Sequence, residues 1–268
     1  MKESVINRNN IKTWGNGLKT ILFAHGFGCD QNMWRYVTSA FEDDYKIVVF
    51  DYVGAGRSDL SAYNSERYSS LVGYAQDVLE VCEAMELTDI IYVGHSVSCM
   101  IGVLAALKRP QYFSDLILIG PSPCYINSDG YIGGFSKRDI DELLDTMDKN
   151  YIGWANFLAP AIMKNAERPE LSEELTESFC STDPKIARQF AMATFLSDNR
   201  SDLAKVRTPS LIMQCSDDLI APVEVGEYLH RNLTGSTLKI LAATGHCPHM
   251  SHPEETIAVI KAYLAKKE

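Results

Sequence analysis

The sequence predicts an α/β fold, with a mostly parallel sheet, helices on both faces and a helical cap inserted late in the sheet. Short apolar runs rich in β-branched residues alternate with amphipathic stretches through most of the chain, which is typical of doubly wound domains. These runs are continuously apolar, as expected for strands that helices cover on both faces. A long segment late in the chain has helical periodicity and no strand, which indicates the cap.

The core elements follow from these patterns in chain order. An N-terminal pair of segments, Ser4–Asn7 and Ile11–Gly15, is expected to form a leading hairpin. The apolar runs predict strands at 20–25, 45–51, 89–94, 115–120, 209–215 and 238–243. Amphipathic stretches predict helices at 70–87, 225–233 and 255–267.

The cap is predicted over 124–202, which leaves 1–123 and 203–268 as the core. Its helical periodicity indicates roughly four helices, drawn from 137–159, 172–181 and 184–197. Because the chain has no internal repeat and no low-complexity linker, we expect the cap to pack on the sheet rather than form an independent domain.

Composition limits the classes of partner. The 268 residues are 46% hydrophobic and carry a formal net charge of −10, without a block of Lys or Arg, so nucleic acid is an unfavourable partner. No stretch reaches the roughly 18 uninterrupted apolar residues of a membrane span, and the first ten residues have no apolar signal core. The sequence therefore predicts a soluble, cytoplasmic protein with no membrane contact.

The sequence also argues against metals and cofactors. The seven cysteines form an odd set with no C-x-x-C pair, which disfavours both a disulfide framework and a zinc cluster. The stretch 51–59, DYVGAGRSD, is glycine-rich but does not match a dinucleotide fingerprint, and we interpret it as a tight loop after a strand. Since His25, Asp51 and Asp59 lack metal-ligand spacing, we predict no metal and no cofactor.

A serine lies where a strand turns into a helix. Gly94-His95-Ser96-Val97-Ser98 resembles the nucleophile elbow G-x-S-x-G, in which small flanking residues permit a strained turn and leave the hydroxyl exposed. Ser98 replaces the second glycine, and this small side chain is expected to fit. Ser96 is the predicted nucleophile.

A serine needs a base to remove its proton, and the base needs a carboxylate to fix its tautomer. His246 follows the last predicted strand, and Gly245 allows a tight bend before it. His249 and His252 are the alternatives. We expect both to be structural, because Ser251 and the glutamate three residues later suggest a capping box at a helix start.

The predicted carboxylate follows the preceding strand, where Asp217 and Asp218 compete. Asp218 is favoured because apolar residues follow it directly and could bury its carboxylate. Asp217 is then expected to face solvent or to form the turn.

The reaction also needs two N–H donors for the oxyanion of the tetrahedral intermediate. The residue after the nucleophile, Val97, is one predicted donor. Phe27, which follows His25-Gly26 after the first inner strand, is the other, and its ring is expected to line the pocket. The alternative is that His25-Gly26 is only a turn.

Taken together, these motifs resemble the α/β-hydrolase superfamily from end to end. Within it, the chain is similar to the RsbQ-like bacterial stress-response regulators and to the plant karrikin and strigolactone receptor hydrolases. The stretches that carry this resemblance are AHGFGCDQNMW, FDYVGAGRSDL, GHSVS, GPSPCYIN, GGF, NYIGWA, FCSTDP and GHCPHMSHP.

The resemblance implies a triad of Ser96, Asp218 and His246 under a V-shaped helical cap, with Phe27 and Val97 as oxyanion donors. It implies an apolar pocket, and the candidate lining residues are Phe27, His95, Phe135, Trp154 and Phe195. Packing between cap and sheet is the alternative role for the cap aromatics. The resemblance further implies a small hydrophobic ligand and, in the bacterial branch, a PAS-domain phosphatase as partner.

Three functions are compatible with these residues. The first is a serine hydrolase that cleaves a small hydrophobic ester or lactone through an acyl-enzyme and serves as a ligand-sensing positive regulator of a stress response. The second is a metabolic carboxylesterase without a signalling role. The third, a pseudoenzyme, is disfavoured because all three triad residue types are present.

Overall fold

A seven-stranded sheet forms the centre of the computed structural model, which describes residues 2–267. Strands β1 to β7 comprise Lys12–Trp14, Thr20–Ala24, Lys46–Phe50, Ile90–His95, Phe113–Ile119, Ser210–Asp217 and Ser236–Thr244. Their order across the sheet is β1-β3-β2-β4-β5-β6-β7, and β1 alone among them pairs antiparallel with its neighbour. The predicted mostly parallel sheet is confirmed.

Helices cover both faces of this sheet. In chain order, α1 to α12 comprise Lys2–Arg8, Arg35–Thr38, Leu71–Ala84, Val97–Lys108, Lys137–Lys149, Tyr151–Met163, Pro169–Ser181, Pro184–Phe195, Arg200–Leu203, Val223–Asn232, Pro248–Ser251 and Pro253–Leu264. Alternate residues of β2 enter different apolar clusters: Phe23 packs with residues of α2 and α12, and Leu22 packs with residues of α3, α4 and α10. Successive side chains of a strand point to opposite faces, so an unbroken apolar run is what two covered faces require.

The predicted N-terminal hairpin is wrong in its first half. Residues 4–7 lie in α1, and β1 pairs instead along the far edge of β3, with Thr13 opposite Val48. A glutamate in the first turn of α1 and Arg8 in its last turn complement the helix dipole. Arg8 also pairs with Glu80 of α3 at 2.6 Å, which ties α1 to the core. A local sequence pattern cannot predict this ion pair, because its two residues are far apart in the chain.

Helices α5 to α9 lie between β5 and β6, in the segment where the sequence shows no strand. The predicted helical stretch 137–159 is two helices, because Asn150 interrupts it. The Asn150 side chain accepts a hydrogen bond from the Gly153 N–H at 2.9 Å and so caps the start of α6. The cap boundaries at 124 and 202 stay a prediction.

The strand order reverses between β2 and β4, which are neighbours although β3 lies between them in sequence. In open α/β sheets, ligands bind in the crevice beyond the carboxyl ends of the strands at such a reversal. The loops that follow β2 and β4 therefore meet at the expected position of a site. Within residues 2–267, no helix is both long and apolar enough to cross a membrane.

Candidate active site

Ser96 occupies a strained turn between β4 and α4. Its backbone has φ 57° and ψ −123°, in a region that residues other than glycine rarely adopt. A side chain at Gly94 would collide with the Ser98 carbonyl, so the first glycine of the motif is required sterically. Ser98, in place of the second glycine, donates from Oγ to the His25 carbonyl and shares a 2.9 Å hydrogen bond with the Tyr52 hydroxyl. The replacement thus links the elbow to the loop after β2.

Ser96, His246 and Asp218 form a continuous hydrogen-bonded row. His246 Nε2 lies 2.7 Å from Ser96 Oγ, and His246 Nδ1 lies 2.6 Å from Asp218 Oδ2. Because a carboxylate only accepts, Nδ1 carries the proton and Nε2 is left to accept from the serine hydroxyl. This is the tautomer that a general base needs.

The two candidate aspartates have opposite environments. The Asp218 side chain is fully buried, and its Oδ1 accepts hydrogen bonds from the backbone N–H groups of Ile220 at 2.8 Å and Ala221 at 3.2 Å. The Asp217 side chain is 65% exposed and pairs with the Lys164 ammonium. Asp218, not Asp217, is therefore the carboxylate that the structure brings to His246.

The loop after β2 is held from two sides. His25 Nδ1 lies 2.9 Å from the Gly26 carbonyl, and His25 Nε2 accepts from the Tyr52 N–H at 3.2 Å. A side chain at Gly26 would collide with the His95 ring, so this loop lies directly against the elbow. Phe27 follows in the same loop, and Val97 is the first residue of α4. Their roles as oxyanion donors stay predictions.

A small, mostly apolar cavity of about 30 Å³ lies over Ser96 and His246. Of the predicted pocket residues, Phe27, His95 and Phe195 line it. The other lining residues are Cys29, Ser96, Tyr125, Leu158, Ile162, Leu175, Phe179, Thr194, Ile220, His246 and Cys247. A water molecule needs about 10–15 Å³ of such space, so the cavity holds only a few atoms.

Phe135 and Trp154 do not line this cavity, and their predicted pocket role stays a prediction. Trp154 is buried behind the cavity, stacked on Phe179 with ring centroids 5.4 Å apart. Phe135 lies in the segment before α5, where its backbone N–H donates to the Tyr125 carbonyl at 3.1 Å. The sequence identified both as cap aromatics, but it does not show which layer of the cap each occupies.

Sequence reasoning missed Tyr125 and Thr194. Both line the cavity; the Tyr125 hydroxyl faces Ser96, and the Thr194 hydroxyl is buried without a hydrogen-bond partner among the described residues. Tyr125 lies outside any helix or strand, so no periodicity marks it, and Thr194 sits on the buried face of α8. The Thr194 hydroxyl is therefore available to a polar group of a ligand.

Two further histidines stand beside the row. His95 donates from Nε2 to the His246 carbonyl at 2.8 Å, and its ring centroid lies 4.4 Å from that of His249. The His249 ring packs 4.7 Å from Trp34, and neither of its nitrogens has a hydrogen-bond partner among residues 2–267. Burial lowers the pKa of His95 well below its ordinary range and lowers the pKa of His249 to about 3.

The predicted capping box after His246 is not formed. His252 is the residue that precedes α12, and Ser251 Oγ donates instead to the Cys247 carbonyl at 3.2 Å. The helix starts with Pro253, which needs no N–H partner at that position. No group of three or more potential metal ligands occurs in the described part of the chain.

Residues 21–259 match the model of the alpha/beta hydrolase family. A karrikin insensitive 2 receptor of Petunia hybrida is 40% identical to this chain, over 95% of this chain and 93% of its own length. The strigolactone esterase D14 of Arabidopsis thaliana is 33% identical over 99% of both chains. The solved structure of a hydrolase from Oleispira antarctica superposes with a TM-score of 0.96 at 47% identity, and the match covers 98% of this chain and 97% of that one. The family model spans most of the chain and the relatives align along nearly their whole length, so this chain belongs to the α/β-hydrolase family.

Proposed function

We propose that this protein is a serine hydrolase that cleaves a small hydrophobic ester or lactone through an acyl-enzyme. The observation that carries the proposal is the row Ser96–His246–Asp218, with contacts of 2.7 and 2.6 Å, beneath an apolar cavity. In this row each group has the partner that its role requires: a nucleophile, a base that faces it, and a buried carboxylate that orients the base.

In the first half-reaction, Ser96 Oγ attacks the ester carbonyl carbon while His246 Nε2 takes the hydroxyl proton. The carbonyl oxygen becomes an oxyanion, which the N–H groups of Val97 and Phe27 stabilise in this proposal. When the intermediate collapses, His246 gives its proton to the leaving alkoxide, and the acyl group stays on Ser96. A lactone keeps its alcohol attached to the acyl group.

In the second half-reaction, a water molecule gives a proton to His246 and attacks the acyl carbon. The bond to Ser96 Oγ then breaks, the serine recovers its proton from His246, and a carboxylic acid leaves. Asp218 stabilises the imidazolium in both halves without taking its proton.

The cavity favours small ligands. Its wall is dominated by Phe27, Phe179, Phe195 and aliphatic side chains of the cap, and its volume is about 30 Å³. A substrate larger than a few atoms therefore requires the cap to move, and opening can limit turnover. The Thr194 hydroxyl, which has no hydrogen-bond partner among the described residues, favours a substrate with a polar atom beyond the reacting carbonyl.

A small cavity that opening of the cap must enlarge suits a slow ligand sensor, and the relatives named as karrikin insensitive 2 receptors support that use. We therefore propose that hydrolysis serves signalling, as in the RsbQ-like stress regulators that the sequence resembles. A PAS-domain phosphatase is the partner that this resemblance suggests. The alternative is a metabolic carboxylesterase, whose turnover would be expected near the enzyme median of about 10 s⁻¹.

The test is to label the protein with a fluorophosphonate, map the modified peptide, and measure hydrolysis of p-nitrophenyl acetate by the wild type and by Ser96→Ala. We expect label on Ser96, wild-type turnover below about 1 s⁻¹, and loss of hydrolysis in the folded variant. Near-wild-type hydrolysis by Ser96→Ala would refute the nucleophile. Fast turnover without capture of a purified PAS-domain phosphatase would favour the carboxylesterase.

A further inference from the structure

The carboxyl end of α6 lies against the three residues that end in His246. The His246 N–H donates to the Ile162 carbonyl at 2.8 Å. Asn165 Nδ2 donates to the Thr244 carbonyl at 3.1 Å and also to the Met163 carbonyl at 2.8 Å. A helix of the cap is therefore joined by hydrogen bonds to the loop that presents the proposed base.

The glycine before His246 is required by this contact. Gly245 has φ 82°, and a side chain there would collide with the Met163 carbonyl oxygen. The Gly245 N–H donates to the Asp217 carbonyl at 2.9 Å. The residue before Asp218 therefore also holds the backbone before His246. The Gly-His pair is thus shaped by its packing against α6 as well as by the bend after β7.

The junction itself is conformationally restricted. Lys164 and Asn165 have φ of 52° and 53°, in the left-handed region that costs free energy for residues other than glycine. Asparagine tolerates this region better than most residues and commonly ends helices in it. Such a conformation persists only where surrounding bonds fix it, and here the Asn165 amide supplies two of those bonds.

The backbone carbonyl of His246 is held by the elbow. His95 Nε2 donates to the His246 carbonyl, so α6 holds the peptide before His246 by its N–H, and the residue before Ser96 holds the peptide after His246 by its C=O. His246 Nε2 lies 2.7 Å from Ser96 Oγ. The position of this ring depends on the backbone of His246, which these two hydrogen bonds hold.

We propose that Asn165 is a positioning residue for the hydrolytic reaction. Its amide holds the carboxyl end of α6 against Thr244, and the Ile162 carbonyl thereby keeps His246 in reach of Ser96. The proposal rests on the proposed roles of His246 and Ser96. Asn165 is not on the cavity wall, so its loss should affect the proton transfer rather than ligand binding.

The test variant is Asn165→Asp, which keeps the side-chain shape and the tolerance of positive φ but cannot donate to the two carbonyls. A misplacement of about 1 Å in a reacting group can cost about a hundredfold, so we expect kcat to fall about ten- to a hundredfold. KM should stay within about twofold, since the lost interaction acts on the chemical step. The rate of fluorophosphonate labelling of Ser96 should fall with kcat.

Asn156→Asp is the matched control. Asn156 is exposed on α6, the helix that precedes Asn165, and its amide donates to the Ile152 carbonyl of that helix at 2.8 Å. This variant should keep the wild-type kcat, KM and labelling rate. Asn165→Gly, which allows the positive φ and lacks the amide, should reproduce the defect, and it decides the question if Asn165→Asp does not fold.

Wild-type kcat and labelling rate in a folded Asn165 variant would overturn the proposal, as would an equal loss in Asn156→Asp. A lower melting temperature with unchanged kcat would also overturn it, because the amide would then serve stability alone. Failure of the wild type to label at Ser96 would instead refute the proposed function. The two failures are therefore distinguishable.

Discussion

At the scale of single residues, Asp217 and Asp218 show how one position along a strand end changes the chemistry of a carboxylate. β6 ends at Asp217, whose side chain points to solvent and pairs with Lys164. Asp218 turns inward, where two backbone N–H groups and His246 surround it. Ile220 and Ala221 are buried and supply the two N–H groups, whereas Leu219, which directly follows Asp218, is half exposed.

Replacing each aspartate by asparagine should separate their roles. Asp218→Asn removes the acceptor that fixes the His246 tautomer, and the expected loss of kcat is on the order of 10⁴-fold. Asp217→Asn breaks an exposed ion pair, which contributes about 0–1 kcal/mol, so kcat should stay within a few-fold of wild type. Steady-state hydrolysis of p-nitrophenyl acetate measures both, and equal effects would mean that another carboxylate orients His246.

Sequence reasoning placed Ser96, His246 and Asp218 from local pattern, and the structure brings these three side chains together. The elbow, the Gly-His pair and the choice of Asp218 follow from the order of strand, turn and helix. It could not find the Lys164 partner of Asp217 or the Ser98 bond to the His25 carbonyl, because those contacts join distant segments. The position of Tyr125 on the cavity wall was not predicted for the same reason, because it depends on how the cap packs.

At the scale of elements, the cap helices carry two layers of aromatic side chains. Phe195 at the end of α8 lines the cavity and packs edge-on against Tyr125, with ring centroids 5.1 Å apart. Trp154 of α6 forms the layer behind, between Tyr151 and Phe179. Helical periodicity predicts that both residues are buried. It does not show whether a buried side chain faces the cavity or a neighbouring helix, because that depends on how the helices pack.

Alanine substitutions should distinguish the layers. Phe195→Ala opens space at the cavity, so it should raise kcat/KM for longer acyl chains relative to acetate. Trp154→Ala empties a packed site and should cost about 3–5 kcal/mol of unfolding free energy with little change in chain-length preference. Urea unfolding and a series of p-nitrophenyl esters measure the two properties. A larger change of selectivity in Trp154→Ala than in Phe195→Ala would reverse the assignment.

At the scale of the whole molecule, the fold buries His249, a histidine that has no role in the proposed hydrolysis. His249 lies between His95 and Trp34, beneath the loop that carries His246. Its pKa is lowered to about 3 because burial removes water from the ring. The motif GHCPHMSHP contains this histidine beside His246, and the sequence alone indicates only that it is structural.

This burial makes stability depend on pH. In the unfolded chain His249 takes a proton below about pH 6.5, whereas in the folded chain it stays neutral down to about pH 3. The unfolded state therefore binds more protons in this window, and the free energy of unfolding should fall as pH decreases. The slope for one such group is about 1.4 kcal/mol per pH unit.

His249→Phe keeps an aromatic ring beside Trp34 and removes the titrating group. Its free energy of unfolding should therefore fall less steeply than that of the wild type between about pH 6 and 4, by about 1.4 kcal/mol per unit. His249→Gln should show the same gentler slope but a lower stability than His249→Phe. Its amide would be buried at a site where the ring nitrogens of His249 have no hydrogen-bond partner among the described residues. Urea unfolding at half-unit pH steps measures all three proteins. Parallel curves would show that His249 is protonated in the folded protein as readily as in the unfolded chain, and would contradict its burial as a neutral ring.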